Sequence, residues 1–418
     1  MSPLAVTILL LLAGLAFGCA VYYAAVWWRI VRVLRTIPTL RDGLRGGGRV
    51  EWEAPVCVIV PAHNERDVIA TLARSLCRLE PGGAGVRCVF VLDRCTDDTE
   101  RVLRETIERE AGDGERQRFE IIVNESCPEG WAGKTHALWR GVRDSEGAKG
   151  AGLLCFADAD TEFDPRCVAA AVSLMRERGL DLLSVLSTLE IGCWFERVVQ
   201  PAAGFELIRQ FPLDLVNRHD SGRAFANGQF MLFKRESYEK LGGHAHVKGE
   251  LLEDLALARR MMWHHKDMRL GVFAADGLLR CRMYRSWEAF RRGWKRIYTE
   301  AVRRKPGRLR ECAWRLRLVG TVMPLASAAA VVAGPIVMKF GDMPLGWGLL
   351  ACGGAGVYAF AGAIARSLRV QCAPAWLLGL YPAGAWMTAS ILGEAARDLR
   401  SGAGTRWGGK VYEREVRE

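Results

Sequence analysis

Two kinds of hydrophobic patterning divide the chain. An uncharged run from Leu4 to Trp28 is long enough to cross a bilayer core of about 30 Å as one helix. It has no basic residues ahead of it and Arg29, Arg32 and Arg35 behind it, which favours an uncleaved anchor over a removable signal peptide. Three more apolar blocks lie towards the other end: Leu318 to Met338, Leu345 to Ala365 and Ala375 to Gly393. Their Gly and Pro content suits packed membrane helices, where neighbours satisfy freed backbone groups.

Between these blocks the period changes. Val56 to Val60, Arg87 to Leu92, Glu120 to Val123 and Gly152 to Ala157 are short apolar runs that predict strands. Arg66 to Leu79, Thr96 to Arg109, Trp131 to Val142 and Pro165 to Glu177 predict the helices between and after them. Repeated β-α-β order predicts an α/β domain with a mostly parallel sheet covered on both faces. Ligands of such sheets sit at the carboxyl ends of the strands. No GxGxxG follows the first strand, which argues against a nicotinamide-binding domain.

Composition then changes the picture. The chain of 418 residues is half hydrophobic, ample for a large core. Arg303, Arg304, Lys305, Arg308, Arg310, Arg315 and Arg317 crowd the stretch before the second apolar block. By the positive-inside rule the middle of the chain is cytoplasmic, so an integral protein of the inner membrane is expected. The net charge of +11 is explained by attraction of these segments to anionic lipid; no basic stripe interleaved with aromatics points to nucleic acid. The 13 cysteines are scattered without a Cys-x-x-Cys pair, as expected of reduced thiols. His244, His246, His264 and His265 lack a zinc-ligand pattern and read as surface or structural residues.

The strand ends carry the candidate chemistry. In "LLCFADADTEFDP" an apolar run ends in Asp158 and Asp160. Two such carboxylates repel unless a cation compensates, and Mg²⁺ or Mn²⁺ sites often combine one or two carboxylates with substrate phosphates. Asp is also common wherever strands end. "PAHNE", Pro61 to Glu65, places polar groups where a nucleoside would meet the sheet. In "VLDRCTDDT" a helix cap accounts for Asp97, whereas Asp93 suits hydrogen bonding to a base or ribose. Gly133 and Lys134, in "CPEGWAGKTHAL", fall near a helix start that would support a phosphate-bearing group.

"VCVIVPAHNE", "VLDRCTDDT", "GWAGKTHAL", "FADADTEFDP", "GQFMLFKRESYEKLGG" and "LLEDLALARRM" occur in the order seen in family 2 glycosyltransferases with the GT-A fold. The layout of anchor, cytoplasmic domain and C-terminal apolar blocks most resembles the membrane-bound hopanoid-associated, carotenoid and ceramide-type lipid glycosyltransferases. The resemblance implies a nucleotide-diphosphate sugar donor, UDP-linked by its pattern, a lipid or isoprenoid acceptor, and inversion at the sugar carbon. It places Asn64 and Glu65 in the first nucleotide-binding segment, Asp93 on the uracil side, Lys134 in support of the donor, Asp158 on nucleotide or ribose with a share of the metal, and Asp160 as principal metal ligand. Asp254 matches the catalytic base and Glu253 would assist it. An acidic pair opening a helix is also favoured by the helix dipole alone.

"MYRSWEAFRRGWKRIYTE", residues 283–300, stands where the family has Gln-x-x-Arg-Trp. Trp294 is kept, but Gly293 replaces the Arg, leaving Arg292 or Arg296 to meet the diphosphate. The segment also reads as an amphipathic interfacial helix. The expected organisation is an anchor at 1–35, a catalytic domain at 53–282, an interfacial segment at 283–317, a membrane region at 318–393 and a tail at 394–418. "RWGGKVY", Arg406 to Tyr412, resembles a cytoplasmic tail motif of such enzymes. Four complete crossings would strand it on the far side, so one apolar block is expected to be re-entrant or interfacial. A processive polysaccharide synthase and an inactive membrane scaffold are the alternative functions.

Overall fold

A computed structural model describes residues 1–45, 54–80, 85–407 and 410–412. The expected domain boundary at residue 53, Gly408 and Gly409 of the tail motif, and residues 413–418 lie outside the described residues.

The central sheet has seven strands in the order β3-β2-β1-β4-β8-β6-β9. They are β1 (Val56–Ala62), β2 (Val86–Asp93), β3 (Phe119–Asn124), β4 (Leu153–Ala157), β6 (Leu182–Leu186), β8 (Phe230–Lys234) and β9 (Leu270–Ala274). β1 runs parallel to both β2 and β4, while β8 is antiparallel to its neighbours β4 and β6. The chain direction of strand addition reverses between β1 and β4, which opens a crevice at their carboxyl ends. The first four strands are the four read from the sequence.

Helices cover both faces, which is why β1 is buried almost throughout and reads as a continuous apolar run. α2 (Ile69–Cys77), α3 (Thr99–Glu110) and α6 (Cys167–Glu177) share one core with the sheet. α4 (Gly133–Asp144), the short α5 (Glu146–Lys149), α10 (Arg235–Lys240) and α11 (Glu253–His264) contribute to the other. A small second sheet joins β5 (Thr161–Phe163), β10 (Leu279–Cys281) and β7 (Thr188–Leu189). After it come α7 (Trp194–Val198), α8 (Gln200–Gln210) and α9 (Leu213–Val216).

Four helical stretches are long and apolar enough to cross a membrane: Pro3–Leu44, Pro306–Lys339, Met343–Val370 and Ala375–Arg400. They contain α1 (Pro3–Thr36), α13 (Pro306–Arg315), α14 (Met323–Lys339), α15 (Met343–Val370) and α16 (Tyr381–Arg400). α1, α14 and α15 pack on one another. Close approach explains the glycines here: a Cβ on Gly356 would lie 2.8 Å from the Ala16 carbonyl and 2.4 Å from Ser327 Oγ, so only small residues let the backbones meet. α16 packs on α8, α12 (Trp287–Ala301), α13 and the turns 316–322 that lead into α14, where a Cβ on Gly320 would lie 2.6 Å from the Ala385 Cβ, and its first residue, Tyr381, meets Phe360 of α15. Phe290, Trp294 and Tyr298, one stripe of α12, are buried in a cluster with Val199 and Ala203 of the α8 region and Leu392 and Ala396 of α16. That stripe is covered by protein. A final hairpin pairs β11 (Thr405–Trp407) with β12 (Lys410–Tyr412).

Candidate active site

At the carboxyl end of β1 the chain turns at Asn64, whose φ of 58° is left-handed, a conformation Asn tolerates better than most residues. Its side-chain oxygen accepts from the Thr96 N–H at 2.8 Å, tying the turns after β1 and β2 together. Asp93 ends β2 and is buried. It accepts from Asn124 Nδ2 at 2.7 Å and from Arg94 Nη2 at 2.6 Å. Lys134 is the second residue of α4, and its Nζ lies 2.6 Å from both Asp158 Oδ1 and Glu253 Oε1. One ammonium thus joins the β4 end to the α11 start.

Gly228 sits at the centre of this cluster. A Cβ there would stand 3.0 Å from Lys134 Nζ, 3.1 Å from Asp254 Oδ2 and 3.2 Å from Glu253 Oε1. Its own N–H donates to Asp254 Oδ2 at 2.7 Å, and the Leu255 N–H donates to Asp254 Oδ1 at 2.7 Å.

Two cavities meet here. A polar one of 450 Å³ is lined by Asn64, Glu65, Asp93, Lys134, Asp158, Asp160 and Arg296 among others. An apolar one of 170 Å³ is lined by Glu253, Asp254, Trp294, Phe211 and Phe225 among others. Lys134, Asp158, Gln229, Met283 and Arg296 belong to both walls. The apolar cavity shares Ile208, Ala274 and Val370 with a groove of 360 Å³ that runs along α1. Of the residues singled out from the sequence, Arg292 alone lines neither cavity; it is exposed on α12. Sequence reasoning missed Gly228, Gln229, Arg282, Tyr284, Arg285 and Tyr412. Gly228 and Gln229, Tyr284 and Arg285, and Tyr412 all lay in quoted motifs, so a signal existed; Arg282 meets the site only through tertiary folding.

The electrostatics follow from crowding acids at a partly buried rim. Burial, then the charges of Asp160 and Asp158, pushes Glu65 up to about 8. Burial, then Asp158, pushes Asp160 up to about 7. Burial, then Glu253, pushes Asp254 up to about 6, with Lys134 opposing. Burial also works on Glu253, but the Lys134 charge and hydrogen bond outweigh it and hold that carboxyl below its ordinary value. Carboxylates gathered this way are held ready for a cation. Asp160 Oδ1 is buried and accepts no hydrogen bond, and hard oxygen donors fit Mg²⁺ or Mn²⁺. Among the described residues no group of three or more His, Cys, Asp or Glu is placed to hold an ion.

His244 is fully buried, hydrogen-bonded to Tyr238 Oη at 2.8 Å through Nδ1. It is structural. All thirteen cysteines are free.

Residues 57–242 match the family model described as Glycosyl transferase family 2. This segment is a family 2 glycosyltransferase domain. The transferase domain has the GT-A fold, with its mostly parallel sheet and acidic rim. No curated protein matches the chain in the sequence comparison. Among solved structures, it is similar to the mannosyltransferase PcManGT from Pyrobaculum calidifontis in complex with GDP-Man and Mn²⁺, at 16% identity over 94% of this chain and 98% of that one, with a TM-score of 0.46. It is also similar to glucosyl-3-phosphoglycerate synthase from Mycobacterium tuberculosis (17% identity, 63% and 82% covered, TM-score 0.40). A third is S. aureus TarS 1–349 in complex with UDP-GlcNAc (15%, 86% and 96%, 0.40).

Proposed function

We propose that this transferase moves a sugar, with inversion, from a nucleoside-diphosphate donor to the hydroxyl of a membrane lipid or isoprenoid. The single observation that carries the reading is the meeting of the two cavities. The polar one suits a charged donor, the apolar one suits a greasy acceptor, and the acceptor side runs on to α1.

In this reading Asp93 and Asn64 hold the nucleoside, and Arg282, Arg285 and Arg296, which line the polar cavity, face the diphosphate. Asp160, with Asp158, would hold Mg²⁺ or Mn²⁺, and the bound ion supplies Lewis-acid stabilisation of the charge that gathers on the leaving group. Lys134 fixes Asp158 and Glu253 in register. Asp254 takes the proton of the acceptor hydroxyl as that oxygen bonds to the anomeric carbon and the carbon–diphosphate bond breaks. The backbone N–H groups on both its oxygens orient the carboxylate without protonating it.

The membrane arrangement belongs to the same proposal. α1, α14 and α15 cross, and α16 lies along the near interface. Exposed Trp28, Trp314, Trp376 and Trp386 are of the kind that settle at headgroup level. Arg291 and Lys295 of α12 pair with Glu394 and Asp398 of α16, a polar seam out of place in hydrocarbon.

Membranes containing the protein, given labelled nucleotide sugars with and without Mn²⁺ or Mg²⁺, test this. A chloroform-soluble product formed only with metal is expected. An insoluble chain would make it a polysaccharide synthase, and no transfer with any donor would leave a scaffold.

A further inference from the structure

The last described strand ends inside the polar cavity. Tyr412, paired with Thr405 across the β11–β12 hairpin, lines it beside Asp93, Arg94, Gly133 and Lys134. The Gly133 N–H, at the first residue of α4, donates to Tyr412 Oη at 3.4 Å. Gly133 leaves no room for a side chain, since a Cβ would stand 2.6 Å from Arg94 Nη2 and 3.0 Å from Asp93 Oδ2. The phenol therefore stands where the β2 end and the α4 start touch.

The hairpin is aimed by the helices before it. Ion pairs between Lys295 and Asp398 and between Arg291 and Glu394 clamp α16 to α12. α12 also carries Arg296, which lines the same cavity. After α16 the Ala403 N–H donates to the Asp398 carbonyl at 3.0 Å, and Gly402, with φ of 69°, turns the chain. Glycine adopts that conformation at no steric cost. The strand that follows is thereby directed back to the sheet.

Resting on the donor site proposed above, we infer that Tyr412 is a donor-positioning residue at the nucleoside end of the cavity. The residues next to the phenol, Asp93, Arg94, Gly133 and Lys134, offer carboxylate, guanidinium, backbone and ammonium, while Pro61, Ala62 and His63 line the same cavity. A nucleobase is flat and needs an aromatic or apolar face as well as edge contacts, and Tyr412 supplies it. Tyr284, the other tyrosine on the wall, is buried with its ring against α12.

The test measures binding of UDP and of GDP, each with Mn²⁺, to the full chain in detergent. Tyr412→Ala should raise Kd about tenfold, in the range of one lost base–aromatic contact. Tyr412→Phe should stay within about threefold of wild type, because the ring and not the hydroxyl forms the wall. In turnover, Tyr412→Ala should raise the donor KM and leave kcat and the acceptor KM unchanged. Deletion of residues 403–418 is the second variant, and it should match Tyr412→Ala. If wild type binds nucleotide and Tyr412→Ala binds it equally well, the inference fails while the donor site stands. If Tyr412→Phe loses as much as Tyr412→Ala, the aromatic wall is refuted. If wild type binds neither nucleotide, the donor site itself is overturned, and the inference with it.

Discussion

Tyr284 occupies the space that any side chain at residue 293 would need: a Cβ on Gly293 would lie 1.9 Å from the Tyr284 Oη. The Arg of the family pattern is therefore absent for a packing reason. Arg296, one turn further along α12, lines both cavities instead and is anchored by donating from Nη1 to the Leu251 carbonyl at 3.1 Å.

Restoring the family residue should therefore do harm. Gly293→Arg is expected to cost about 1–3 kcal/mol of stability through overpacking. Adding Tyr284→Ala should recover part of that loss, since the two sites share one volume and couple. Denaturation of the four members of this cycle checks it.

Asp254 has to be ionised to accept a proton. Its carboxyl is raised from the ordinary 3.8 to about 6, so kcat should fall as pH drops through about 6 and hold steady above it. Asp254→Asn should cut kcat on the order of 10²- to 10⁴-fold and leave donor Kd close to wild type. Isothermal titration beside the pH–rate profile separates the two effects.

Asp160 is expected to trade stability for function. Its folded-state value is raised from 3.8 to about 7, so in metal-free protein its contribution is fully present below about 4 and is lost as pH rises through about 7. At pH 8 the buried charge is a cost. Asp160→Asn should raise the Tm of metal-free protein at pH 8, change it little at pH 4, and abolish stabilisation by Mn²⁺ plus nucleotide. A lower Tm at pH 8 would contradict the assignment.

His244 works in the opposite direction. Burial holds it down at about 4 against an ordinary 6.5, so the unfolded chain binds a proton the folded one refuses between those values. Stability from this residue is lost as pH falls from about 6.5 towards 4. Comparing the pH slope of Tm in His244→Asn with wild type over that window should show a shallower acid loss in the variant.

Much of this was legible in the sequence because the informative residues sit beside elements with strong periodicity. Val56, Val86, Phe119 and Leu153 each open a strand of the sheet, and the acids that follow those strands fall at the crevice the β-α-β order predicts. The helix expected over 131–142 begins two residues later, at Gly133, because Trp131 and Ala132 still belong to the loop. What sequence could not give is distance across the fold. Gly228 carries no chemistry of its own, and its role appears only when Lys134, Glu253 and Asp254 close around it. Likewise α16 has the hydropathy of a crossing helix, and its ion pairs with α12 appear only in the fold. Arg292 and Arg296 were equally plausible as letters; the turn of α12 sends the first to solvent and the second to the cavity.

An odd number of crossings has an outcome that needs no substrate to observe. In the proposed arrangement, with α16 lying flat, the start of α1 and the strand bearing Tyr412 face different compartments. Reporters fused at the two ends of the polypeptide would then light up on opposite sides of the bilayer, whereas four full spans would place both outside.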